Sequence, residues 1–107
     1  MSLTREDIYS FIRQRKLGVL STISGSLTPQ SALIGVAVTS NLEIIFDTTK
    51  STRKYLNLIT RPQCSLVIGW EAEQTLQYEG RAEEIRTPDL ARYQEIYFRA
   101  WAEGLQD

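Results

Sequence analysis

The residues of this chain best suited to chemistry by type and spacing lie in the segment 46–54. An apolar run ends there, and four hydroxyl residues follow, Thr48, Thr49, Ser51 and Thr52. Two cations, Arg53 and Lys54, come directly after them, and a third, Lys50, lies among them. A predicted helix begins at about Ser51, and the first turn of a helix carries free N–H groups and partial positive charge. Cations in that turn repel the helix dipole, and a bound anion would reverse this cost. The segment therefore predicts a phosphate site built from cations, hydroxyls and backbone N–H groups.

A plainer interpretation of the same segment stays open. In it, Ser51 or Thr52 only caps the helix, and the cations point into solvent as surface charges usually do. No glycine-rich phosphate loop or dinucleotide fingerprint is present. Any phosphate would therefore belong to a ligand that is held by side chains.

Size and charge limit the class of protein. The 107 residues predict one small domain, too short to enclose an active site and hold a separate substrate domain. A site shared between subunits is therefore expected. The net charge of −1, with both signs interspersed, argues against a nucleic-acid-binding protein.

The content of cysteine and histidine excludes further kinds of site. With no histidine and a single cysteine, Cys64, the chain predicts no metal site, no disulfide and no histidine-dependent catalysis. Cys64 alternates with apolar neighbours and is expected to be an inert thiol. No apolar run is long enough to span a membrane, and the first residues do not resemble a signal peptide, so a cytoplasmic protein without membrane association is expected.

Hydrophobic periodicity and capping signals predict the elements that position the phosphate segment. The first helix begins after Thr4, with Asp7 completing a capping box, and the last helix is opened by Thr87-Pro88-Asp89. The remaining predictions are strands at 17–24, 31–38 and 42–47, a helix at 51–60, and strands at 64–70 and 75–83. The order α-β-β-β-α-β-β-α, with short turns, predicts a mainly β fold with flanking helices, a small antiparallel barrel. Apolar residues occupy both even and odd positions of 31–38, which predicts that both faces of that strand are covered.

Several segments occur in an order that is more specific than any one of them. They are Leu42-Glu43-Ile44-Ile45-Phe46-Asp47-Thr48, Ser51-Thr52-Arg53-Lys54, Asn57-Leu58, the run 61–70 and Gly80-Arg81-Ala82-Glu83. As an ordered set, the chain from Leu17 to about Tyr97 resembles the pyridoxamine 5'-phosphate oxidase-like flavoproteins. The resemblance implies an FMN-binding split barrel over residues 1–107, forming a homodimer with FMN in the groove between two subunits.

The resemblance also implies roles for residues near the phosphate. Arg53 and Lys54 match the basic pair that binds the FMN phosphate, with Ser51 and Thr52 beside them as hydroxyl donors. Thr48 matches the threonine that follows the strand and contacts the cofactor.

Other implied contacts come from the second and the last strand. The stretch 30–35, with Gln30, Leu33, Ile34 and Gly35, matches the segment along the ribityl chain and the edge of the isoalloxazine ring. Gln30 and Gly35 stand where the oxidase has basic residues, and Thr75 stands where it has a glutamine. Trp70 and Trp101 are interpreted as packing residues rather than flavin-stacking groups.

Two departures separate this chain from the true oxidase. Family members commonly have another strand after the last helix, so the resemblance implies either a differently closed barrel or a missing last strand. The segment with arginine and histidine that holds pyridoxine in the oxidase has no counterpart here, so oxidation of vitamin B6 is not predicted.

The expected function is that of an FMN-dependent oxidoreductase acting with an unidentified small-molecule substrate or electron donor, because the cofactor carries the chemistry. No residue stands out as a general acid or base, so the catalytic residues are unknown. The alternatives are a non-enzymatic FMN carrier or flavin sensor, a relative that binds the deazaflavin F420, and an interaction domain with a vestigial site. The composition excludes haem held by a histidine of this chain.

Overall fold

The computed structural model describes residues 2–105 of the chain. It contains three helices and six strands. In chain order these are α1 (Arg5–Arg15), β1 (Leu17–Ile23), β2 (Pro29–Gly35), β3 (Ala37–Val38), β4 (Ile44–Ile45), α2 (Arg53–Thr60), β5 (Gln63–Ile68), β6 (Leu76–Arg81) and α3 (Leu90–Leu105).

Local sequence signals fix both ends of α1. The Thr4 side chain accepts a hydrogen bond from the Asp7 backbone N–H at 3.1 Å, and the Asp7 carboxylate accepts one from the Thr4 N–H at 3.0 Å. These reciprocal bonds form the predicted capping box and satisfy two N–H groups that the first turn leaves free. Lys16 ends the helix in a left-handed conformation, with φ of 62°.

Four antiparallel strands form the main sheet, in the order β2-β1-β5-β6. The register places Leu20 of β1 opposite Ala32 of β2 and Leu66 of β5. Leu20 and Leu66 point to the same face, where they join the buried core with Ile12 and Ile68. The sheet therefore has an inner face that carries the core and an outer face.

The predicted strand 31–38 is divided at Val36. The β1–β2 ladder ends at the pair Leu17 and Gly35, because Leu17 is the first residue of β1. The Val36 N–H instead donates to the Lys16 carbonyl at 2.8 Å, and Ala37 and Val38 pair with β4 as a separate two-stranded sheet. The predicted strand 42–47 keeps ladder pairing at Ile44 and Ile45.

Helix α3 lies along the segments that follow β2. The hydroxyl of Tyr93 donates to the Glu43 carboxylate and that of Tyr97 donates to the Asp47 carboxylate, each at 3.1 Å. Glu95 and Arg99 form an ion pair across one turn of α3 at 2.6 Å, and both side chains are about two-thirds exposed. Side chains of α3 therefore hold the helix against Glu43, which lies just before the phosphate segment, and against Asp47, which lies within it.

The element order agrees with the prediction when β2 and β3 are counted together as the second predicted strand. Helix α2 begins at Arg53 rather than Ser51, because Thr52 is its N-cap. No helix within residues 2–105 has the length and apolar composition needed to cross a membrane.

Candidate functional site at the start of helix α2

Thr52 is the centre of the hydroxyl cluster before α2. Its hydroxyl donates to the Thr49 carbonyl at 2.8 Å and accepts the Tyr55 backbone N–H at 3.3 Å. Because that donation uses the only proton of the Thr52 hydroxyl, the 2.8 Å contact with Thr48 is one in which Thr48 donates. The hydroxyl protons of Thr48 and Thr52 are therefore both used within the chain.

The second hydroxyl pair leaves one proton free. The hydroxyls of Thr49 and Ser51 lie 3.3 Å apart, and either can be the donor. Whichever donates, the other keeps its proton for an acceptor outside the pair. Thr48 and Thr52 therefore shape the helix start, and the Thr49–Ser51 pair supplies the hydroxyl donor that an anion can reach.

The cations at this helix start have no partner among the described residues. Arg53 is exposed and Lys54 is half-buried, and neither side chain forms a hydrogen bond or ion pair within residues 2–105. The first turn of α2 contains no acidic residue. The backbone N–H groups of Arg53 and Lys54, the first two of the helix, also have no acceptor in that part of the chain. Two charges and two N–H groups are thus left without a partner at one helix start, the kind of position where proteins bind anions.

A buried polar network fixes α2 against the sheet one turn after these cations. The Asn57 side-chain amide donates to Gln30 Oε1 at 2.9 Å and to Thr22 Oγ1 at 3.0 Å. Thr22 and Gln30 are paired neighbours on β1 and β2, and Thr22 is only 2 % exposed. Both N–H bonds of the amide are used, so the network sets the position of α2 relative to β2.

The predicted cofactor contacts on β2 lie on opposite faces of the sheet. Gln30 and Ile34 point to the inner face, and Ile34 belongs to the buried core. Leu33 points to the outer face and is 63 % exposed. The prediction that both faces of this strand are covered is therefore not met within a single chain.

Gly35 lies directly beneath the indole of Trp101. A Cβ atom at Gly35 would overlap Trp101 Cζ2 and lie 3.0 Å from Cε2. Trp101 therefore packs within the chain, as predicted, and its buried Nε1 has no partner among the described residues. Trp70, the other tryptophan, is 53 % exposed.

Thr75 is remote from the other predicted contacts in the sheet. It is exposed and precedes β6, which forms one edge of the four-stranded sheet, whereas β2 forms the opposite edge. The structure thus brings six predicted residues to α2 and leaves the others elsewhere. The six are Thr48, Ser51, Thr52, Arg53, Lys54 and, through Asn57, Gln30.

Two positioning residues were not predicted as parts of the site. Asn57 is buried in a helix, where asparagine is unfavourable unless it has a specific partner, and this is the signal that could have found it. Tyr97 holds Asp47, next to Thr48, across 50 positions of sequence. Tyr93, Tyr97 and Trp101 recur every four residues, as the side chains of a helix face that packs on a core do, so the position of Tyr97 gave no such signal.

The remaining chemically reactive groups offer no competing site. Burial raises the pKa of the Cys64 thiol, which favours the unreactive protonated form. Among the described residues, no three side chains of the types that bind metals, histidine, cysteine, aspartate and glutamate, come together as a metal site.

Comparison with known proteins defines the fold more closely. The chain is similar to the conserved hypothetical protein Rv2991 of Mycobacterium tuberculosis, with 24 % identity, a TM-score of 0.79 and coverage of 94 % of this chain and 66 % of that one. A heme binding protein of Mycobacterium smegmatis matches with 16 % identity, a TM-score of 0.78 and coverage of 99 % and 47 %. An F420 reductase matches with 23 % identity, a TM-score of 0.66 and coverage of 85 % and 74 %.

These matches establish a shared fold and a difference in length. The chain spans about two thirds of the first of these proteins and about half of the second. No curated protein sequence matches this chain at a significant level. Solved proteins of this fold include ones named for heme and for F420, so the fold accommodates more than one cofactor.

The family model described as pyridoxamine 5'-phosphate oxidase matches residues 4–106, almost the whole chain. The antiparallel sheet, the order of elements and the helix that follows the third predicted strand are those of the split barrels in this family. The chain therefore belongs to the pyridoxamine 5'-phosphate oxidase-like family.

Proposed function

We propose that this chain is a single flavin-binding domain, residues 1–107, that holds the phosphate of FMN at the start of α2. The observation that carries the proposal is the pair of cations, Arg53 and Lys54, which lack a partner among residues 2–105 at a helix start without acidic residues. The bare arrangement is unfavourable because like charges meet at the positive end of a helix. A doubly charged phosphate converts it into a favourable one.

The donor set fits a phosphate ester. Arg53 offers a guanidinium that binds two oxygens at once, and Lys54 adds a compact charge. The first two backbone N–H groups of α2 and one hydroxyl of the Thr49–Ser51 pair complete the donors. Thr48 and Thr52 would act by shaping the loop, since their hydroxyl protons are already used.

A homodimer would complete the site. Leu33 and Thr75 lie away from α2 in one chain, on the outer face and at the far edge of the sheet. Val19 of β1 and Val67 of β5 share the outer face with Leu33, because the three are paired across the strands. Burial of this exposed apolar face against a second copy would bring the outlying residues of the two chains to a common groove.

The proposed activity is an oxidoreduction of a small molecule. Bound FMN supplies the capacity for hydride or electron transfer, and the chain supplies its binding and orientation. No general acid or base is proposed among the described residues, so the catalytic residues are left unassigned. A non-enzymatic FMN carrier or sensor would use the same residues but would not turn over a substrate. A cytoplasmic location stays a prediction of the sequence.

The deazaflavin F420 is the alternative ligand that the same residues favour, because it also carries a phosphate. The likeness to an F420 reductase supports keeping it as a second candidate. Haem held by a histidine of this chain is excluded, since the sequence has none.

The identity of the chromophore tests the proposal. We expect the purified chain to be yellow, or to become yellow on addition of FMN, with a flavin spectrum and a released molecule whose mass is that of FMN. If the released molecule has the mass of F420, the ligand is the second candidate and not FMN. A folded protein that binds neither molecule would overturn the proposal.

Reduction kinetics separate the enzyme from the carrier. The loaded protein is mixed with NADH or NADPH, and flavin absorbance is followed with and without an electron acceptor. Faster reduction than that of free FMN, with turnover of an acceptor, supports an oxidoreductase. Tight binding without such reduction supports a carrier or sensor.

A further inference from the structure

A cleft of about 490 Å³ lies between α1 and α3. Its floor is formed by the buried residues Val36, Ala37 and Val38, next to and within β3. Tyr9 of α1 and Ile96 of α3 line its walls. None of its lining residues belongs to the segment 48–54, so it is separate from the site proposed for FMN.

The charged residues of this cleft are strongly biased in sign. Among the residues that the structure describes, four lysine and arginine residues line it, against one acidic residue. The five are Arg13, Lys16, Arg92, Arg99 and Glu95. These five described residues carry a net charge of +3, although the whole chain has a net charge of −1.

Existing contacts leave two of these cations, Arg92 and Arg99, open to an anion. Lys16 Nζ donates to the Ala100 carbonyl at 2.6 Å and so joins the ends of α1 and α3. Among the described residues, the ion-pair partner of Arg99 is Glu95. Both side chains are about two-thirds exposed, so the pair is weak and easily exchanged for another anion. The Arg92 guanidinium lies 4.3 Å from the centre of the Tyr93 ring and has no hydrogen-bond acceptor among the described residues.

We propose that this cleft binds a small organic anion, a carboxylate or phosphate ester with an apolar body. The apolar floor and the Tyr9 ring suit the body of such a molecule, and Arg92 and Arg99 suit its anionic end. A site of this composition attracts anions and penalises cations, because the net positive charge is concentrated over a low-dielectric floor. The proposal does not depend on FMN binding.

The test uses phenyl phosphate and benzoate as probes, with benzyl alcohol as a neutral molecule of similar shape. Backbone amide resonances of the isotope-labelled chain are followed by NMR during each titration. We expect phenyl phosphate, benzoate or both to shift resonances of residues 9–16 and 92–100 at roughly millimolar concentration. The shifts should weaken as salt is raised, because the attraction is electrostatic.

Charge variants locate the binding site. Arg92→Gln/Arg99→Gln should weaken binding of the responding probe at least about tenfold. Arg86→Gln removes the same kind of charge from a side chain that is 79 % exposed and outside the cleft, and should leave the affinity unchanged. If the double variant does not fold, Arg92→Gln and the charge-conserving Arg92→Lys replace it, and only Arg92→Gln should weaken binding. FMN affinity should be unaffected in all of them.

Three results would overturn the inference. The first is the absence of shifts with both anions in the folded chain. The second is a set of shifts confined to residues 48–56, which would place the probes at the site proposed for FMN. The third is benzyl alcohol binding as tightly as the anions, which would make the cleft apolar rather than anion-selective.

Discussion

The side-chain amide of Asn57 lies 2.9 Å from Gln30 Oε1, and this bond ties α2 to β2 across 27 positions of sequence. The other N–H of the amide reaches Thr22 on β1 at 3.0 Å. One buried side chain thus sets where the cations at the start of α2 stand relative to the sheet. The same bond engages Gln30, a residue predicted to contact the cofactor.

Replacement of Asn57 by alanine should destabilise the fold. It leaves Gln30 Oε1 and the buried Thr22 hydroxyl without their donor, at a cost of about 1 to 3 kcal/mol. Urea denaturation measures the change in free energy of unfolding. Asn41→Ala is the matched control, since Asn41 is exposed and its side chain forms no hydrogen bond among residues 2–105. Equal effects of the two substitutions would show that the network carries no stability.

The capping box predicts a pH-dependent contribution to stability from Asp7. Hydrogen bonds from the backbone and side chain of Thr4 lower the pKa of Asp7 below its ordinary value of 3.8. The charged carboxylate therefore stabilises the fold above that value, and the contribution is lost as the pH falls through the lowered pKa. Asp7→Asn should reduce stability at neutral pH, and the difference from the original chain should shrink in acid. A difference that stays constant with pH would contradict this assignment.

The raised pKa of Tyr97 predicts that stability decreases as the pH rises in the alkaline range. Burial, with the charge of Asp47 and its hydrogen bond, raises the pKa of Tyr97 from 10.0 to about 12. The unfolded chain loses this proton first, so stability should fall as the pH rises from about 10 towards about 12. Tyr97→Phe removes the titrating group and should make the decline shallower in urea denaturation at a series of pH values. An unchanged slope would show that Tyr97 titrates normally.

The close approach of Trp101 predicts intolerance of a side chain at Gly35. Gly35→Ala should destabilise the fold by about 1 to 3 kcal/mol, because the new methyl group overlaps the indole. Gly25→Ala is the control, since a Cβ atom there meets nothing within 4 Å. A smaller cost of Gly35→Ala in a Trp101→Leu background would assign the effect to this contact, and additive costs would exclude it.

The elements that sequence could predict are those set by neighbouring residues. The capping box of Thr4 and Asp7 and the periodicity of β1 and β5 are local, and both were predicted. The division of the second predicted strand into β2 and β3 was not predicted, because the segment 31–38 is a largely apolar run without a turn signal. The interruption at Val36 depends on where its partner strand begins, 19 positions earlier at Leu17.

The candidate site shows the same limit. The unusual composition of Thr48 to Lys54 was visible in the sequence, and the structure places these residues around one helix start. The use of the Thr48 and Thr52 hydroxyl protons inside the loop, and the bond between Tyr97 and Asp47, depend on three-dimensional contacts. Sequence therefore indicated the position of the candidate anion site, but not which of its donor groups are left without a partner.

Comparison of FMN with riboflavin tests the central claim most directly, because the two differ by the phosphate. Fluorescence titration measures both affinities for the original chain, for Arg53→Ala/Lys54→Ala, and for Arg61→Gln, which removes a cation from the opposite end of α2. At roughly 1.5 to 3 kcal/mol for each charged hydrogen bond, the double variant should bind FMN at least about 100-fold more weakly. Its affinity for riboflavin, and the affinity of Arg61→Gln for FMN, should be unchanged. Equal affinity for FMN in the folded double variant and the original chain would contradict the account.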